Sequence, residues 1–71
     1  MTVSYRILRN SGVLRIEYDG EIFAEDELHE AIWLVNRELR SPGLSRREQI
    51  EAKRQITQYG ELLAALRSAG A

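Results

Sequence analysis

Cysteine is absent from this 71-residue chain, proline and histidine occur once each, and the aromatic residues make up 7%. Each scarcity removes a class of function or a source of stability. Without cysteine there is no disulfide framework, no thiolate nucleophile and no cysteine ligand for structural zinc. A single histidine and no nucleophile-elbow serine leave too few groups for an acid, base and nucleophile set, so no enzyme activity is expected. No apolar run approaches the ~18 residues of a membrane span. The opening Met1-Thr2-Val3-Ser4-Tyr5-Arg6 lacks a basic region followed by an apolar stretch, so a cytoplasmic protein is expected. The formal net charge is −1 and the computed pI near 5.8, without the basic excess usual in nucleic-acid-binding domains.

What remains is an ordinary globular composition, 44% hydrophobic and 30% charged, which argues against disorder. The length allows one domain over residues 1–71. A chain of this size buries roughly 60% of its unfolded surface, and a core below about 80 residues seldom supplies more than ~3–5 kcal/mol. With neither disulfide nor metal to supplement it, self-association is the expected remedy.

Charge is segregated along the chain although it nearly cancels overall. Asp19 to Glu30 holds six acids and no Lys or Arg, whereas Arg37 to Arg54 holds six bases against three acids, a local balance of +3. Nine of the ten basic residues are arginine, the side chain suited to planar, bidentate contacts.

Periodicity predicts an α+β fold of ββαα type. Val3, Tyr5 and Ile7 alternate with Ser4, Arg6 and Leu8. After the turn residues Asn10-Ser11-Gly12, Leu14, Ile16 and Tyr18 alternate with Val13, Arg15, Glu17 and Asp19. A β-hairpin over about 3–18 follows. Asp19-Gly20 is a second turn signal, which makes Glu21-Ile22-Phe23 either a short third strand or the lead-in to a helix. From about Glu25 to Arg40 the period becomes helical, with Leu28, Ala31, Ile32, Val35 and Leu39 on one stripe. Acids in the first turn and Arg37 and Arg40 near the end suit the helix dipole, and Ser41-Pro42-Gly43 stops the helix. Ser45-Arg46-Arg47-Glu48 has the capping-box form and opens a second helix running to about Arg67, with stripe Ala52, Ile56, Tyr59, Leu63 and Leu66. The short link predicts an antiparallel helical hairpin.

Leu44-Ser45-Arg46-Arg47-Glu48-Gln49-Ile50 resembles the start of the first helix in LuxR-type and sigma-factor helix-turn-helix domains. The resemblance implies a recognition helix further along, and eleven residues after Gly60 are too few to supply one. Asp26 and His29, three apart, offer at most a two-residue dyad or a two-ligand metal site, and no cofactor is expected.

Two apolar residues disobey their stripes. Trp33 lies about 150° from the centre of the first stripe among charged neighbours, and Ile50 points about opposite to Ile56, Tyr59 and Leu63 between Arg47 and Arg54. Covering by the sheet would explain Trp33, and stapling against Leu44 would explain Ile50. Otherwise the two sit at similar heights above the 41–44 turn and belong to a binding surface. Trp and Arg dominate binding hot spots, so Trp33, Arg37, Arg40, Arg47, Ile50 and Arg54 are the candidate surface. The expected partner is a second copy or another protein. The alternative is nucleic acid held by the arginines, with backbone amides of residues 45–48 on a phosphate.

Overall fold

The computed structural model describes residues 4–70. Three strands, β1 (Arg6–Asn10), β2 (Val13–Tyr18) and β3 (Glu21–Phe23), precede two helices, α1 (Glu25–Leu39) and α2 (Arg46–Gly70). The strands form one antiparallel sheet in the order β1-β2-β3, so the ββαα arrangement is present and Glu21–Phe23 is a third strand. Val3, expected to begin the first alternation, lies outside the described residues.

Both strand connections are two-residue turns, because Asn10 pairs with Val13 and Tyr18 with Glu21. Their central residues all have positive φ: Ser11 at 53° and Gly12 at 80°, Asp19 at 52° and Gly20 at 79°. That is the type I′ requirement, and its twist matches the right-handed twist of the flanking strands. Glycine takes the second position without a Cβ clash in each turn.

The register sets Ile7, Ile16 and Phe23 side by side across the three strands. Ile16 is fully buried, and Ile7, Leu14, Tyr18 and Phe23 pack beside it. Tyr5, expected on this face, precedes β1 and is about half exposed. The opposite face carries Leu8, Val13, Arg15 and Ile22 with an Arg6–Glu17 ion pair of 2.9 Å, and among the described residues no helix covers it, Val13 and Ile22 being about half exposed.

Leu28 of α1 and Leu62 and Leu66 of α2 complete the buried cluster around Ile16. Tyr59 meets Phe23 edge-on, with ring centroids 5.9 Å apart. At the far end of α2 the Arg9 guanidinium donates to the Ala69 carbonyl, and a Cβ on Gly70 would lie 3.2 Å from Leu14. The sheet therefore rests on the last three turns of α2 and the start of α1. Val35 and Ala52, the other buried apolar residues, lie outside that cluster and belong to the seam between the helices. Arg67 links α2 back to the first turn of α1 through Glu25 at 2.8 Å, as the antiparallel hairpin requires.

The two helices begin differently. Ser45 Oγ accepts from the Glu48 amide and the Glu48 carboxylate accepts from the Ser45 amide, each at 3.2 Å, a complete capping box. At α1 the N-cap is Ala24, which has no side-chain acceptor, and the Glu27 carboxylate supplies the reach-back half alone at 2.8 Å. α2 runs unbroken through Gly60, where an added Cβ would meet nothing within 4 Å.

The result is long: 44 × 24 × 21 Å with a radius of gyration of 13.4 Å, against about 11 Å for a compact chain of this length. Its accessible surface is 5568 Å², where a compact protein of this mass exposes about 4,500 Å².

Three substitutions test this account in denaturant melts at matched protein concentration. Ser45→Ala removes the cap and is expected to cost ~0.5–2 kcal/mol, while Ala24→Ser adds the missing acceptor and is expected to raise stability by about 0.5–1 kcal/mol. Gly60→Ala is expected to stabilise by about 0.5–1 kcal/mol, since the helix is continuous and the site open. An unchanged midpoint for Ser45→Ala would place the start of α2 elsewhere.

Candidate functional site

Helical geometry decides where the six candidate residues lie. At about 100° per residue Trp33 is turned about 140–160° from Leu28 and Val35, and Ile50 about 160° from Ala52 and Leu66. In two packed antiparallel helices each side chain then points away from the other helix, so Trp33 and Ile50 lie on opposite flanks of the hairpin. Neither is covered. Trp33 is 59% exposed and Ile50 56%, which removes the sheet as a lid over Trp33 and Leu44 as a cover for Ile50.

Trp33, Arg37 and Arg40 are brought together, lining a shallow depression on α1 with Asn36. The Arg37 guanidinium carbon stands 5.6 Å from the centroid of the indole ring, within cation–π range. Arg47 joins a different depression, in the groove between the helices, with Glu38 of α1 and Glu48, Glu51 and Gln55 of α2. Ile50 and Arg54 share the outward face of α2. The candidate residues thus form an α1 group and an α2 group, at similar heights above the turn yet facing different ways.

Leu34, 48% exposed, was not among the expected surface residues. It follows Trp33 directly and lies about 100° around the helix from it. The outer sheet face also has a hollow lined by Leu8, Val13, Arg15 and Ile22, in which Val13 and Ile22 are about half exposed. Its signal in the sequence was apolar residues on the polar side of each alternation.

The N-terminus of α2 is already occupied as an anion site. The Glu48 carboxylate sits against the Ser45 amide and the Glu48 amide is bound to Ser45 Oγ, so two of the four amides considered for a phosphate are engaged within the chain. His29 is engaged with another residue than Asp26: its Nε2 lies 3.1 Å from Arg67 Nη2, and because a guanidinium only donates, the imidazole nitrogen accepts. Among the described residues no group of three or more His, Asp or Glu side chains is placed to hold a metal ion, and no helix is long and apolar enough to cross a membrane.

Compared with known proteins, the chain matches no family model, no curated protein and no solved structure.

Trp33 is the single tryptophan and reports directly on its own surroundings. At the lowest usable protein concentration its emission is expected to be that of a hydrated indole, readily quenched by acrylamide. A blue-shifted, quencher-resistant emission under those conditions would mean that the indole is covered within one chain.

Proposed function

We propose that this chain is a small, non-enzymatic, protein-binding or regulatory module of the cytoplasm that acts as a homodimer. The observation that carries the reading is the exposure of Trp33, Leu34 and Ile50 on a helical hairpin that outruns its own core. Large apolar side chains scattered singly on a surface need no explanation, but here a tryptophan is held beside two arginines in one depression, the composition of a binding hot spot. The surface in excess of a compact chain, about 1,000 Å², is of the size that one partner contributes to a standard protein interface, about 800 Å². A core this small, with no cysteine in the chain, benefits from any mass-action contribution that a second copy brings. Nucleic acid is the weaker reading, because the net charge is −1 and a carboxylate already occupies the start of α2.

Sedimentation at a series of concentrations tests the proposal, together with the melting temperature, which is expected to rise with protein concentration. Trp33→Ala is expected to weaken association by about 2 kcal/mol or more, roughly thirtyfold. A monomer at roughly 100 micromolar with a concentration-independent melt would refute self-association.

A further inference from the structure

Given self-association, we infer that its surface is the outer face of α1, which pairs antiparallel with the same face of a second copy about a twofold axis passing close to Trp33. The face reads Asp26, Glu30, Trp33 and Arg37 along the helix and Arg40 at its C-cap, with spacings of four, three, four and three residues. Spacings of four and three keep the five on one side of the helix, as at the seam of two helices packed side by side. Here the centre alone is apolar and the flanking positions are charged, so charge pairing carries the match. The stripe is centred about 170° from Leu28 and Val35, so it points directly away from the protein's own core, and all five residues are exposed.

Its charge pattern is self-complementary only when reversed. Asp26 and Arg40 lie seven residues on either side of Trp33, with Glu30 three before it and Arg37 four after. A twofold rotation about Trp33 sets Asp26 opposite Arg40 of the second copy and Glu30 opposite its Arg37, and the two indoles meet at the axis. Each pair occurs twice, as an isologous contact demands. Parallel pairing would set acid on acid and arginine on arginine. Within one chain the charged members lie beside like charges, Asp26 and Glu30 at i,i+4 and Arg37 and Arg40 at i,i+3, while Arg37 stands over the Trp33 ring. The ion pairs among the described residues are Arg6–Glu17 and Arg67–Glu25, and none of the five takes part.

The outward face of α2 lacks this property. Arg47 lies three residues before Ile50 and Arg54 four after, so the same rotation about Ile50 would oppose arginine with arginine. The two exposed apolar groups are thereby distinguished, α1 suited to a copy of itself and α2 not. A contact along one 15-residue helix, about 22 Å long, is at the small end of specific interfaces, and dissociation in the micromolar range is expected.

The test is a charge swap near the centre of α1, away from its caps. Glu30→Arg and Arg37→Glu, each alone, turn two attractive pairs into repulsive ones and are expected to weaken the dimer roughly tenfold. The double variant Glu30→Arg/Arg37→Glu restores the pairs in reverse and is expected to return to within about threefold of the parent. An equimolar mixture of the two single variants should likewise associate better than either alone. Circular dichroism and the melt of each variant at low concentration establish that it is folded, and recovery in the double variant cannot come from lost structure. Single variants as dimeric as the parent, or a double variant that recovers nothing, would overturn the α1 pairing while leaving self-association standing. A parent chain monomeric at every concentration would overturn both.

Discussion

The fold depends on one meeting point, where Ile16 of β2, Leu28 of α1 and Leu62 and Leu66 of α2 exclude water from one another. A sheet needs an apolar face or a packed helix to be stable, and this one, whose third strand has three residues and whose one fully buried side chain is Ile16, depends on the helices for that cover. A helical hairpin with a single apolar seam is marginal alone. Each makes the other possible at this cluster. The strict two-residue turns matter for that reason: they fix the register that lines up Ile7, Ile16 and Phe23, and a slip of one residue would turn Ile16 to the outside. Arg67 and Arg9 then tie the end of α2 to its neighbours through Glu25 and the Ala69 carbonyl, exposed contacts that orient more than they stabilise.

Because the cluster lies at one end, the molecule has two characters. Around the sheet, α2 is packed against both α1 and strands. Toward the 41–44 turn the helices have only each other, and their buried contact shrinks to Val35 and Ala52 flanked by partly buried Ile32, Leu39 and Ile56. An apolar residue on the outside of that part, such as Trp33, meets no other element among the described residues. The segregation of charge follows the same axis, with acids at the sheet end of α1 and arginines toward the turn, so the hairpin is electrically polar along its length.

Most of the architecture was legible because its signals were local. Ser45 with Glu48, Pro42-Gly43 and the two turn dipeptides each specify backbone geometry within four residues, and the structure has helices and turns where they stand. What could not be read was anything set by the meeting of elements. The expected stripe of α2 passed over Leu62 because a single 3.6-residue seam has room for Leu63 or Leu62 but not both. α2 faces two neighbours there, its buried arc is wide, and Leu62 is fully buried. The run Leu62-Leu63-Ala64-Ala65-Leu66 was the available sign of that breadth. Periodicity identified Trp33 and Ile50 as misfits, and both are exposed, while their separation onto opposite flanks follows from how the helices pack.

The order of the elements in space repeats their order in sequence. Strand pairs with next strand, helix with next helix, across turns of two residues and a link from Arg40 to Ser45, and the longest closure brings α2 back onto β2. Little loop entropy must be given up before the neighbouring elements pair, and only the return of α2 onto β2 closes a long loop. That places the topology with the mixed α/β domains, between the fastest helical bundles and the slow all-β folds. Each copy would then complete its own tertiary structure long before it met another at cellular dilution. For the homodimer proposed above, the collision of finished subunits, second order in concentration, would be the slow event in maturation, and the rate of synthesis would control how much of it is assembled.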